Sequence, residues 1–147
     1  MLKSVIQNYS PSDRVFSLMH KFTDGINMCI NIALEKKKLT SRNALSKNAY
    51  PLLTEYKIPS YYYPSIINKA IALTKTYNKR LRKGRKATRP HVEKPMLPTY
   101  YGFKIENGNI MIPVSNEKYK REYEEISLNE YVQKNISEVK VHSFTLN

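Results

Sequence analysis

The sequence predicts an α+β fold, an antiparallel β unit with a block of three to four helices inserted after its first strand. Three observations carry this. Apolar residues recur at helical spacing through the first eighty positions, and an Asn107-Gly108 turn sits between two strand-like runs. Between the two textures lies Lys79 to Arg89, where seven of eleven residues carry a fixed positive charge. Self-repulsion and the cost of desolvating guanidinium and ammonium groups keep such a run in water unless a polyanion supplies the counter-charge.

In chain order, Leu2 to Asn8 is short, β-branched in the middle and followed by turn residues, the pattern of a first strand. Ser10-Pro11-Ser12-Asp13 reads as a helix start, with a hydroxyl cap at Ser10, proline where no amide is needed and an acid in the first turn. Val15, Leu18, Met19, Phe22, Ile26, Cys29 and Ala33 then form one apolar stripe on a helix reaching about Lys36. Cys29 lies on the stripe as a core thiol, and His20 lies off it.

Thr40 or Ser41 caps a second helical piece, which Pro51 should break before it resumes to Tyr56. A third helix follows Ile58-Pro59-Ser60. Its buried side is Tyr63, Ile66, Ile67, Ala70, Ile71, Thr74, Tyr77 and Leu81, and Gly84 is placed to end it. Residues 85–98 contain Pro90, Pro95 and Pro98 and should form an extended basic linker. Tyr100 to Glu106 and Asn109 to Val114 flank the Asn107-Gly108 turn as a hairpin. Residues 116–136 read as irregular with some helix, anchored by Ile126, Leu128, Tyr131 and Val132. Val139, Val141 and Phe144 alternate with polar residues in a last strand, which either pairs within the chain or leaves an edge for a second copy. The division is thus 1–9 and 99–147 for the β unit, 10–84 for the helical unit and 85–98 for the linker.

The net charge is +13, and it is unevenly placed. Residues 1–104 hold 20 Lys and Arg against 5 Asp and Glu, whereas residues 105–147 hold 5 against 7. A field concentrated in this way favours a polyanionic partner, nucleic acid first. One cysteine permits no internal disulfide and no cysteine zinc cluster, and His20, His91 and His142 are too scattered for a metal set. No run resembles a signal peptide or approaches the ~18 apolar residues that span a bilayer, so a soluble, cytoplasmic protein without a membrane partner is expected. Asp13, Asp24 and the Glu124-Glu125 pair do not form a convergent carboxylate set, and no phosphate-cradling glycine loop is present. The chain alone is therefore expected not to be an enzyme and to carry no metal or cofactor.

Lys79, Arg80, Arg82, Lys83, Arg85, Lys86 and Arg89 are the candidate phosphate contacts, since their groups neutralise backbone charge without reading sequence. Tyr61, Tyr62 and Tyr63 cannot all face one core, so at least one is expected at the surface, where it could stack on a base or hydrogen-bond a groove edge, packing against the second helix being the commoner fate of such a ring. Asn68, polar on the third helix, has the donor and acceptor set that pairs with adenine in a groove.

The order of elements, the Ala70-to-Tyr77 stretch Ala-Ile-Ala-Leu-Thr-Lys-Thr-Tyr, the Lys/Arg-Gly-Arg-Lys linker and the Asn107-to-Pro113 hairpin Asn-Gly-Asn-Ile-Met-Ile-Pro resemble the N-terminal half of the TnpB/OrfB family of transposon-encoded, RNA-guided nucleases. The resemblance implies an OB-like wedge built of the strands and a recognition lobe built of the inserted helices. It implies a guide-like RNA and duplex DNA as partners, with Ser41, Tyr63 and Asn68 facing the target motif. Tyr100, Tyr101 and Lys104, on the β unit, read as RNA contacts or, in alternation, as core. That family's RuvC-like carboxylates and four-cysteine zinc element have no counterpart in this sequence. A protein-interaction or regulatory protein whose basic face serves a protein or a membrane surface is the alternative reading.

Overall fold

The computed structural model describes residues 4–35, 41–114, 122–137 and 140–147. Helix α1 (Asp13–Glu35) forms as its apolar spacing dictates, and every member of the stripe from Val15 to Ala33 is buried. Its cap is Ser12 rather than Ser10: the Val15 amide donates to the Ser12 hydroxyl oxygen at 3.3 Å. Asp13 then stands at the positive end of the helix dipole. Helix α2 (Arg42–Leu53) is capped by Ser41, whose hydroxyl oxygen accepts from the Ala44 amide at 3.2 Å.

The expected break at Pro51 does not occur. The helix runs through it and closes two residues later in a 3-10 turn at Thr54–Tyr56. Pro51 forfeits only one bond, to the Lys47 carbonyl, and both residues lie on the exposed side, where water serves instead. Helix α3 (Tyr63–Arg82) begins with Pro64 in its first turn, where no amide donor is required. Helix α1 packs along both α2 and α3. Gly25 sets that closeness, since a Cβ there would stand 3.2 Å from Ile66 and from Leu53.

The strands make two small antiparallel sheets. Strands β1 (Leu97–Thr99) and β5 (Phe144–Leu146) pair with each other, so the final strand finds its partner within the chain. Val139 lies outside the described residues. Strands β2 (Lys104–Glu106), β3 (Asn109–Pro113) and β4 (Tyr123–Ser127) form the other sheet in that order. The hairpin falls where its turn residues place it, with Asn107 at a φ of 51°. Helix α4 (Glu130–Ile136) follows β4, capped by the Asn129 side chain, which accepts from the Val132 amide at 2.8 Å. Of the anchors expected here, Ile126 and Val132 are buried and Leu128 is half-buried, but Tyr131 is exposed.

The expected first strand is not found among the described residues. Residues 4–10 form no ladder, and Ile6 is 84% exposed. The segment is held by a side chain instead. The Gln7 amide donates to the Ser127 carbonyl and accepts from the Asn129 amide, both at 2.7 Å. All five strands therefore follow α1, α2 and α3, and the helical block is not inserted between described strands.

One core serves helices and strands alike. Phe22, Ile26, Leu53, Ile66 and Ile67 share it with Leu97, Ile110, Ile112 and Ile126. Tyr62 stitches the two parts together. Its ring meets Phe22 edge-on with centroids 6.2 Å apart, and its buried hydroxyl donates to the Pro113 carbonyl at 2.7 Å. Each such side chain stabilises by about 1.5–3 kcal/mol on burial.

Candidate nucleic-acid interface

Helix α3 changes character along its length. From Tyr63 to Thr74 its inner face is buried, whereas Tyr77 is only half-buried and Leu81 is 47% exposed. The sequence-based reading of Tyr77 and Leu81 as buried is corrected because the last two turns extend past the neighbouring helices. The helix ends in a Schellman motif: the Gly84 amide donates to the Leu81 carbonyl and the Arg85 amide to the Arg80 carbonyl, both at 3.0 Å. Gly84 makes this possible, with a φ of 69° that costs a residue bearing a Cβ about 1–2 kcal/mol. Lys79, Arg80 and Arg82 occupy the final turn, where the partial negative charge of the helix end favours cations.

At 100° per residue, Asn68, Ala72, Lys75, Lys79 and Arg82 fall within an arc of about 80°. All five are exposed, and they lie opposite the buried Ile66 and Ala70. The stripe is about 21 Å long at 1.5 Å per residue. Lys75 was not among the residues singled out from the sequence, although its spacing of seven from Asn68 and four from Lys79 was legible there.

Beyond Gly84 the chain turns back as an extended strap along α1. It is not a free linker. Asn31, Asn27 and Thr23, four residues apart on α1, hold it in succession. The Arg89 guanidinium donates to the Asn31 side-chain oxygen at 3.0 Å. The Asn27 amide accepts from the Val92 amide at 2.8 Å and donates to the Val92 carbonyl at 2.9 Å. The Met96 amide donates to the Thr23 hydroxyl oxygen at 3.3 Å. Arg85, Lys86 and Arg89 therefore extend from the end of α3 onto the outside of α1, each exposed. Among the described residues the ion pair found is Arg14 with Glu122, and no cation of the run has an acid partner.

The remaining candidates divide. Ser41 is exposed, but its hydroxyl is already engaged in capping α2. Tyr63 is corrected: it is 4% exposed and packs edge-on against Tyr50, with centroids 5.3 Å apart, which leaves no ring face for a base. Burial and the neighbouring Tyr50 raise its hydroxyl above the ordinary tyrosine value. None of the three consecutive tyrosines is exposed, since Tyr62 is buried and Tyr61 is half-buried against Gly102. Tyr50 is the exposed aromatic in this quarter instead.

Tyr100 and Tyr101 are each 57% exposed, on a bend held by the Thr99 hydroxyl, which donates to the Tyr101 carbonyl at 3.1 Å. Lys104 is exposed, its ammonium 5.2 Å from the Tyr123 ring centre. Because Gly102 lies against Tyr61, this group sits near the start of α3, about 30 Å along the helix from the basic end. The structure therefore aligns Asn68 with Lys75, Lys79 and Arg82 along one side of α3, continues the basic run onto the strap, and keeps Tyr100, Tyr101 and Lys104 apart from the basic end.

Among the described residues no group of three His, Cys, Asp or Glu side chains is placed to hold a metal ion. Cys29 is fully buried, and burial pushes its thiol up to about 12. His20 is exposed and stands edge-on to Phe16 at 4.5 Å. No helix of the described residues is long and apolar enough to cross a membrane.

No curated protein and no solved structure matches the chain. One family model does match, over residues 18–113, which takes in α1 from its second turn, α2, α3, the basic run, the strap and the hairpin through β3. That stretch is more than half of the 147 residues, and the chain belongs to the Uncharacterized protein MJ0013 family.

Proposed function

We propose that the chain is a nucleic-acid-binding module that takes structured RNA, duplex DNA or both, and supplies no catalytic residue of its own. The observation that carries this reading is the exposed, basic last third of α3 continued by the strap. Seven cations of the run occupy it without an acid partner among the described residues, and Asn68 and Lys75 extend the same face. A helix end that buries almost nothing yet concentrates like charge is stabilised by a polyanion, because each bound phosphate relieves repulsion and releases counterions. Lys79, Arg80, Arg82, Lys83, Arg85 and Lys86 take the phosphates, and Asn68, without charge in the same stripe, reads a base edge. In this reading the strands correspond to the OB-like wedge, and the helices to the recognition lobe, of the TnpB/OrfB-like proteins that the sequence resembles. A guide-like RNA is then the first partner to test.

The test is competition. Fluorescence anisotropy of labelled structured RNA and labelled duplex DNA should report binding that polyglutamate and anionic vesicles fail to displace at equal charge concentration. Displacement of RNA by either competitor, with tighter binding to it, would replace this reading with a protein or lipid partner for the basic face.

A further inference from the structure

A second concentration of positive charge lies away from α3. Arg14, Ser17 and Lys21 share one face of α1, at spacings of three and four, and border a cavity of about 240 Å³ whose floor includes the buried Leu18 and Ile58. Lys57, from the segment after the 3-10 turn, also lines it. No carboxylate lines the cavity among the described residues. Glu122 is the acid bound to one of its cations, Arg14, and among the described residues Lys21 and Lys57 have no acid partner.

The backbone at Lys57 is the second observation. It follows the 3-10 turn in the left-handed region, at φ 55° and ψ 40°, with its amide donating to the Thr54 carbonyl at 3.2 Å. Glycine or asparagine adopts that conformation cheaply, and a long side chain there costs about 1–2 kcal/mol. A lysine held in that conformation lines the cavity at the expense of stability, the pattern expected where strain serves a ligand.

We propose that this cavity is a site for a compact dianionic phosphate group, distinct from the basic face of α3. Lys21 and Lys57 supply charge-assisted hydrogen bonds from two sides, Arg14 supplies the guanidinium edge not turned to Glu122, and the Ser17 hydroxyl donates to a further oxygen. A volume of about 240 Å³ accommodates a phosphate or diphosphate. It falls below the ~300 Å³ at which sites for drug-sized ligands begin, so a whole nucleotide does not fit within it. The phosphate belongs either to a small metabolite or to the 5′ end of a nucleic-acid strand.

Calorimetric titration of the full chain with inorganic pyrophosphate, at constant ionic strength, should show saturable binding of one equivalent. Lys57→Gly removes the ammonium and the backbone strain together. It should weaken binding about tenfold or more while leaving the melting temperature unchanged or higher. Lys21→Ala should weaken it similarly, and a double Arg82→Glu, Lys83→Glu variant should not weaken it. A short RNA with a 5′-phosphate, compared with the same RNA bearing a 5′-hydroxyl, separates the sources: a phosphate-dependent gain lost in Lys57→Gly assigns a strand end, and pyrophosphate binding without that gain assigns a free phosphate compound. Absence of saturable binding, unchanged affinity in both lysine variants, or an equal loss in the Arg82, Lys83 variant would overturn the site.

Discussion

The two halves of α3 are one continuous helix held in place by opposite means. From Tyr63 to Thr74 the chain is helical because Ile66, Ile67 and Ala70 bury against α1, and tertiary packing supplies nearly all the stability. From Lys75 to Arg82 no residue is fully buried. The helix persists there by propagation from the packed half, by the Schellman closure at Gly84 and by cations at the negative end of its dipole. The first half is expensive to disturb and offers a ligand only the side turned away from the core, where Asn68 stands. The second is cheap to disturb and offers little except surface. The difference teaches that charge can be gathered on a helix without a stability cost that a core would impose, provided the core anchors only one end.

The largest expected effect lies in the packed half. Phe22→Ala, which empties the space between α1 and Tyr62, should lower unfolding free energy by about 3–5 kcal/mol in urea titrations. A loss below about 1 kcal/mol would mean that the helices are not held as described. Next, replacing Arg82, Lys83, Arg85 and Lys86 together with glutamate should weaken RNA and duplex DNA binding by at least about a hundredfold, roughly 3 kcal/mol, with the melting temperature little changed. A variant that unfolds would show that these exposed side chains carry structure, and the contrast between the halves would fall.

The pH dependence sharpens the same contrast from the buried side. Cys29 has its thiol raised from 9.0 to about 12 by burial, so the folded state holds that proton more tightly than the unfolded state does. Its contribution is complete below pH 9, and is lost between pH 9 and 12 at no more than about 1.4 kcal/mol per unit. Tyr62, raised in the same direction chiefly by burial, adds to this alkaline loss. Alkylation of the native thiol at pH 8 should accordingly be slow and limited by unfolding, and rapid labelling would contradict its burial. Smallest of all, Gly84→Ala should cost about 1 kcal/mol and raise amide exchange in the last two turns of α3 alone.

What the sequence made legible was local. The stripe on α1 and the Asn107-Gly108 hairpin rest on neighbours within a few residues, and both formed as their spacing and turn chemistry required. The charge of Lys79 to Arg89 was visible for the same reason. What stayed hidden depends on distant partners. Asn27 and Asn31 read as ordinary polar positions on α1 until the strap, some sixty residues later, is laid along them. The Gln7 amide replaces a strand ladder through partners 120 and 122 residues away. Tyr63 misled because one of three adjacent tyrosines was expected at the surface, whereas Tyr50, Phe22 and Gly102 each receive one of the three rings.

The role proposed for the exposed half of α3 and its strap is to bind phosphate backbone. The most direct measurement is the affinity for structured RNA and duplex DNA over a series of salt concentrations, for the native chain and the fourfold glutamate variant. A steep fall of log affinity with log salt is expected, by about 0.7–0.9 per phosphate contact, with a slope about three units shallower in the variant. Equal slopes in the two proteins, or affinity indifferent to salt, would contradict it.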